Sequence, residues 1–252
     1  MTRLTGRSII VTGAAQGIGE IYARALAKEG ARLAICDIAS PEDTARTIRD
    51  EGGEVFASAC DVTDGDAVAR FVADVEAAHG GVQVLVNNAA LFGNLALKPL
   101  EQIESDEWDR VMRVNVRGSF ECVKAVLPVM RRQGYGKIIN IASGTVFKGA
   151  PMMLHYVSSK GAIVAMTRSI AREVGDAGIR CNCLAPGLTM SPNVAANSDW
   201  AGKISDANIA SRCLKREAMP DDLTGTLVYL ASGDSDFMTG QTIVVDGGSV
   251  TH

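Results

Sequence analysis

Strand-like and helix-like segments take turns along this chain from Arg7 to Val245, and that alternation restricts the fold more than any other feature. Arg7–Thr12 (RSIIVT) is a short β-branched run, and Gly17–Glu29 follows with helical period until Gly30 stops it. Arg32–Asp37 reads as a second strand, Pro41–Glu51 as a helix, Glu54–Ala59 as a strand, Asp64–His79 as a helix and Val82–Val86 as a strand. A long helix is predicted over Asp106–Arg132, then a strand at Lys137–Ile141 and a helix over Leu154–Gly175. Ile179–Leu184 and Thr242–Val245 complete the strand series around a helix at Asp221–Ala231. Strands joined through helices need right-handed crossovers, which lay the strands parallel and put helices on both faces. The expected fold is therefore α/β, a doubly wound, seven-stranded parallel sheet occupying residues 1–252 as one domain. The rhythm breaks at 188–220, a weakly periodic stretch with short helices expected around Trp200–Cys213; its length suits a substrate lid.

Composition narrows the partners. The chain has 252 residues, 47% of them apolar, enough to fill a core. Its 25 Lys and Arg against 29 Asp and Glu leave a net charge of −4, which argues against nucleic acid or an anionic membrane as the main partner. No apolar run approaches the roughly 18 to 20 residues of a membrane span, and the first residues show no signal-peptide stretch, so a cytoplasmic location is expected. The six cysteines lack zinc-ligand spacing and read as buried, reduced thiols; the three histidines, His79, His155 and His252, are far apart, so no metal is expected.

Thr12-Gly13-Ala14-Ala15-Gln16-Gly17-Ile18-Gly19 follows the first strand and opens a helix. Glycines here allow a tight turn, close backbone approach to a pyrophosphate and close helix packing, and the helix N-terminus offers unpaired amides to the phosphates. The spacing is GxxxGxG, one residue longer than the commonest dinucleotide fingerprint, and a glycine trio alone also suits an ordinary strand-to-helix turn. Asp37, 18 residues after Gly19 at the end of the second strand, stands where a carboxylate would accept hydrogen bonds from adenine-ribose hydroxyls. A 2′-phosphate beside it would be repelled by roughly 4 kcal/mol at about 4 Å and an effective dielectric of 20. With no Lys or Arg at Ala14, Ala15, Gln16, Ile38 or Ala39, NAD(H) is expected over NADP(H).

Tyr156 and Lys160 are four apart in a helical stretch and share one face, while Ser143 follows the strand IINIA, at the carboxyl end where open α/β sheets place their chemistry. Together with the nucleotide loop, this ordered set resembles the short-chain dehydrogenase/reductase family from Leu4 to Gly248. The resemblance implies a Rossmann-type nucleotide fold, and the loop TGAAQGIG is similar to the family's cofactor loop. Asp61-Val62 resembles its adenine contact, and Asn87-Asn88-Ala89-Ala90 its NNAG element with alanine in place of glycine. Asn115, Ser143, Tyr156 and Lys160 match its catalytic four, Asn115 holding a water that relays protons from Lys160. Pro186-Gly187 resembles the segment beside the nicotinamide, with Leu188, Thr189 and Ser191 (threonine is usual there) as carboxamide contacts; TGQTIVVDGG is similar to the last strand and turn. The resemblance also implies a homotetramer.

The chemistry expected of these residues is proton transfer coupled to hydride transfer. A phenol near pKa 10 needs roughly 4 kcal/mol to titrate three units lower, the size of one ammonium at about 4 Å, and Lys160 is expected to supply it. Tyr156 would then take the alcohol proton or return it to the forming alkoxide, with Ser143 donating a hydrogen bond to the reacting oxygen. Phe92, Thr145, Phe147, Met153 and Trp200 are the candidate substrate contacts; with Leu91, Leu95, Val146, Met152, Leu154 and Met190 they favour a hydrophobic or aromatic secondary alcohol and its ketone. LHYVSSKGAIVAMTR and TGQTIVVDGGSVTH resemble the 1-phenylethanol and pyridoxal dehydrogenase branch. Two rivals stay open. A 3-oxoacyl-carrier-protein reductase of the same family would use Arg131, Arg132 and Arg172 as basic contacts, although its usual NADPH sits poorly with Asp37. A nucleotide-binding sensor without turnover would normally have lost the tyrosine or the lysine. His155, beside Tyr156 but on another side of the helix, reads as a supporting or surface residue.

Overall fold

In the computed structural model, residues 2–197, 200 and 202–251 are described. The chain runs β1 (Ser8–Thr12), α1 (Gly17–Lys28), β2 (Arg32–Asp37), α2 (Glu42–Asp50), β3 (Glu54–Ala59), α3 (Gly65–His79) and β4 (Val84–Asn87). It continues through α4 (Ser105–Met112), α5 (Ser119–Gln133), β5 (Gly136–Ile141), α6 (Thr145–Lys148), α7 (Leu154–Val174) and β6 (Ile179–Pro186). The last elements are α8 (Pro192–Ala196), α9 (Lys203–Ser211), α10 (Asp221–Ala231) and β7 (Thr242–Val245).

All seven strands pair in parallel, in the order β3-β2-β1-β4-β5-β6-β7. Neighbouring side chains of a strand serve opposite faces. Ile9 and Val11 pack with Tyr22 and Leu26 of α1, Ile48 of α2 and Leu227 of α10; Ile10 packs with Phe71 of α3, Val126 of α5 and Val174 of α7. Burial on both faces explains the unbroken apolar runs in the sequence, where a one-sided sheet would alternate. Order reverses between β1 and β4, so their carboxyl ends open the crevice in which doubly wound sheets hold ligands. Among the described residues, no helix is long and apolar enough to cross a membrane.

Three expectations need revision. The helix read as continuous over Asp106–Arg132 is α4 and α5 joined by one wider π-helical turn, Arg113–Gly118. That turn lets Ser119 Oγ donate to the Asn115 carbonyl at 3.0 Å, and brings Gly118 so near β3's exit that a Cβ there would lie 2.7 Å from Val62. A single turn, α6, had no sequence signal. Of the six cysteines, Cys213 is exposed, because it follows α9 at the surface; the others are buried. The stretch at 188–220 carries α8 and α9; its residues 198, 199 and 201, like His252 and Met1, lie outside the described residues.

Candidate active site

Hydrogen bonds between the ends of β1 and β4 build the nucleotide end. Thr12 Oγ1 accepts from the amides of Asn88 and Ala89, both at 3.1 Å, and the Asn88 side-chain amide donates to the carbonyls of Thr12 (3.0 Å) and Gly13 (2.9 Å). Gly13 has φ +67 and lies so close to Ala89 that a Cβ would come within 2.7 Å of its Cα. At Gly19 a Cβ would sit 2.0 Å from the Gly13 carbonyl, so only glycine lets α1 start this near the strand. Gln16, the exposed N-cap residue of α1, makes no side-chain cap, and Gly17 has φ +65. The result is a tight, side-chain-free cradle before a 12-residue helix, and it fits the pyrophosphate of a dinucleotide. Ile18 packs back into the core.

Asp37 stands at the end of β2, its two oxygens accepting from the amides of Ala15 (3.1 Å) and Ala39 (3.2 Å). Each oxygen keeps a further lone pair for a ribose hydroxyl. Asp61 accepts from the Thr63 amide at 2.8 Å and Val62 is buried beside it. The sequence-derived cofactor residues from Gly13 to Ala89 thus share one edge of the sheet. Thr12, which holds that edge together, was missed; its signal is a hydroxyl residue ending the first strand.

The catalytic end lies past β5. Ser143 is buried, and its hydroxyl accepts from the Thr145 hydroxyl (3.0 Å) and amide (3.3 Å). Tyr156 and Lys160 project from one side of α7, with the Lys160 Nζ 5.8 Å from the Tyr156 ring centroid. Burial pushes the phenol above its ordinary value, and a hydrogen bond with Ser143 pulls the other way. Burial also lowers Lys160 to about 8, opposed by the nearby Cys183 thiol. This corrects the expectation that Lys160 draws the phenol down: its ammonium donates instead to the Ile141 carbonyl at 2.8 Å, and loss of water governs both groups.

Asn115 sits in the π-helical turn with its carboxamide engaged. It accepts from the Leu91 amide (2.7 Å) and donates to the Leu91 carbonyl (3.3 Å) and to Ser159 Oγ (3.0 Å). No hydrogen bond joins it to Lys160 among the described residues. Pro186 ends β6; a Cβ at Gly187 would lie 2.7 Å from Asp246 Cβ, and the Asp246 carboxylate accepts from the amides of Gly248, Ser249 and Val250. Thr189 donates to the Gly187 carbonyl at 3.0 Å, Ser191 is buried, and the Leu188 carbonyl accepts from buried Arg212 at 2.5 Å.

The candidate substrate set divides. Phe92 packs its ring 4.7 Å from Tyr156 and 4.9 Å from Trp200, centroid to centroid, and Met153 and Leu95 join this cluster with Leu91 and Met190 at its edge. Thr145 reaches the site through Ser143. Among the described residues, Phe147 and Val146 pack instead with Ile163, Val164 and Cys183, turned that way by α6. Met152 and Leu154 are exposed. His155 is buried rather than at the surface, 3.4 Å from Glu107, a carboxylate no sequence spacing had singled out. Arg131 and Arg132 close α5 and Arg172 closes α7, the opposite edge of the sheet from Tyr156; Arg132 pairs with Glu76 at 2.7 Å.

Comparison with known proteins agrees with this geometry. Residues 13–250 match the family described as Enoyl-(Acyl carrier protein) reductase. The 3-oxoacyl-(acyl-carrier-protein) reductase FabG of Staphylococcus epidermidis is 38% identical over 247 residues, 96% of this chain and 98% of that protein. The chain belongs to the short-chain dehydrogenase/reductase family. Two solved members superpose closely at 30% identity. A chain classed as a short-chain alcohol dehydrogenase from Sinorhizobium meliloti gives a TM-score of 0.92 with 98% of each chain covered, and levodione reductase gives 0.90 over 99% of this chain and 100% of that one. As a family member the protein is an NAD(P)(H)-dependent oxidoreductase with a tyrosine-containing active site, and its cofactor is a dinucleotide, NAD or NADP.

Proposed function

We propose that this oxidoreductase works mainly as an NADH-linked reductase of hydrophobic 3-oxo compounds, with a 3-oxoacyl thioester as its substrate class. One observation carries the reading: the Tyr156 phenol is buried in the same pocket as buried Ser143, beneath an apolar roof of Phe92 and Trp200. A protonated phenol is equipped to give a proton, which is what reduction of a ketone asks of it. The similarity to 3-oxoacyl-(acyl-carrier-protein) reductases supports the thioester over the secondary alcohol that the sequence alone favours. Arg131, Arg132 and Arg172 close their helices away from Tyr156, so in this reading recognition rests on the acyl chain rather than on these three contacts to an acidic carrier.

In this reading Asn115, Ser143, Tyr156 and Lys160 form the catalytic set. The bound nicotinamide supplies the hydride. Ser143 donates a hydrogen bond to the ketone oxygen as negative charge grows there, and Tyr156 O–H delivers the proton that makes the alcohol. The phenolate left behind lies near the Lys160 ammonium, whose lowered pKa of about 8 suits it to pass a proton onward. Asn115 supports this relay by fixing Leu91 and Ser159 around α7. Gly13, Gln16, Gly17, Ile18, Gly19, Asp37, Asp61, Val62, Asn88 and Ala89 hold the adenosine and pyrophosphate, and Pro186, Gly187, Leu188, Thr189 and Ser191 hold the nicotinamide. Asp37 turns the preference to NADH.

The aromatic contact of Phe92 with Tyr156 favours a second reading, NAD-linked oxidation of a hydrophobic or aromatic secondary alcohol. We further propose one catalytic domain over 1–252, 188–220 as its substrate lid, a homotetramer and a cytoplasmic location. Progress curves at the reduced-nicotinamide absorbance, with an acetoacetyl thioester, aromatic ketones and the matching alcohols and with both cofactors, test the reading. Thioester reduction with NADH is expected to be fastest; faster oxidation of an aromatic alcohol would put the second reading first, and cofactor binding without any turnover would leave a sensor.

A further inference from the structure

A chain of polar groups behind the phenol has no part in the chemistry above. His155, next to Tyr156 in the first turn of α7, is 0% exposed, and among the described residues neither ring nitrogen makes a well-formed hydrogen bond. Its Nε2 lies 3.4 Å from Glu107 Oε1, just beyond a good hydrogen bond. The other Glu107 oxygen takes a 2.6 Å ion pair from Lys98, which holds the carboxyl below its usual range. The Lys98 amide in turn donates to the carbonyl of Met152 at 2.9 Å. Met152 has φ +69, the only positive value at a non-glycine among the described residues, and it stands directly before the Met153 cap of α7. A left-handed methionine and a buried imidazole with only one long polar contact both cost stability, and such strain persists only where the surroundings enforce it. Here all of it meets at the turn that aims Tyr156.

We propose that Glu107 is a positioning residue for Tyr156: it acts through His155, and through Lys98 it ties that placement to the 91–99 loop carrying Phe92. This deepens the reading of Tyr156 as proton donor and rests on it. Glu107 sits on α4, Lys98 on the loop after β4 and His155 on α7, so one carboxylate sets the spacing of three elements around the ring. Loss of the carboxylate takes from His155 its charged neighbour and from Lys98 its anchor, and the phenol moves relative to Ser143.

The test uses Glu107→Gln, Glu107→Ala, His155→Gln and His155→Leu in the full chain with 13C-labelled tyrosine. The chain has 4 tyrosines, and Tyr156→Phe identifies the resonance that belongs to Tyr156. Both Glu107 variants are expected to shift the Tyr156 ring resonance. Glu107→Ala and His155→Leu should lower kcat by about tenfold to a hundredfold. KM and Kd for NADH should stay within about twofold of wild type. His155→Gln, which keeps a nitrogen facing Glu107, should retain most of the turnover. A Tyr156 resonance unmoved in both Glu107 variants overturns the proposal, as does an equal fall in kcat and NADH affinity, the mark of general loosening. If Glu107→Ala does not fold, Glu107→Gln carries the same test. Should Tyr156→Phe keep a tenth of wild-type turnover, it is the proton-donor reading that breaks, while the resonance shift still decides whether Glu107 places the ring.

Discussion

The two ends of the crevice are built on different terms. At the nucleotide end, Thr12, Asn88 and Asp37 each engage backbone groups, so the site is shaped by main chain that the sheet already fixes. At the substrate end, side chains touch one another, titrating groups lie displaced from their ordinary values, and buried polar atoms of His155 and Trp200 make no well-formed hydrogen bond among the described residues. The first end is prepared for a ligand shared by a whole family. The second keeps unmet polarity and strain where the reaction happens, and it is where relatives with one fold differ in what they act on.

Removing the phenol should separate the two ends most sharply. Tyr156→Phe is expected to lower kcat by about a thousandfold, within the usual range for a lost general acid, while NADH titrated by fluorescence binds as before. A parallel loss of NADH affinity would mean the ends are not independent.

Stability against pH probes the buried ammonium. The unfolded lysine keeps its proton up to 10.5, whereas folded Lys160 gives its proton up near 8. Below 8 both states are charged and the fold carries the whole cost of burying the cation. Between the two values the unfolded state binds more protons, so stability rises with pH, by roughly 3 kcal/mol in all. Urea unfolding of wild type and Lys160→Met at pH 7 and 10 should show the gap between them closing at the higher pH. A constant gap would remove the buried cation from the account.

The smallest effect tests whether the nucleotide end discriminates at all. Asp37→Ala should narrow the NADH over NADPH preference in kcat/KM by about tenfold to a hundredfold, the part of the repulsion of a 2′-phosphate that survives screening by solvent and salt at this half-buried carboxylate. Equal use of both cofactors by the wild type would show that the Asp37 oxygens are spent on Ala15 and Ala39 alone.

The same contrast explains what could be read in advance. Strand and helix periods are local, so β1 to β7 and helices such as α10 were legible to within a residue or two, and the glycine cradle with them. Hydrogen bonding and desolvation depend on what folds over a residue. Nothing in the spacing of Tyr156 and Lys160 says that the ammonium faces the Ile141 carbonyl, or that burial governs the phenol. The wider turn at Arg113–Gly118 was hidden because its residues still suit a helix, and the side to which α6 turns Phe147 is set by that single turn, which has no period to read. Glu107 and His155 are separated by nearly fifty positions and meet only through the packing of α4 on α7.

The Thr12 hydroxyl has a kinetic consequence. By accepting two amides from the segment after β4, it staples the floor of the crevice between the two central strands. Those two bonds oppose any parting of the strands beneath a bound dinucleotide. In the proposed reading, with 188–220 as the lid, the dissociation rate of spent cofactor should follow substitutions at Arg212, whose side chain donates to the Leu188 carbonyl, and ignore those in the central strands.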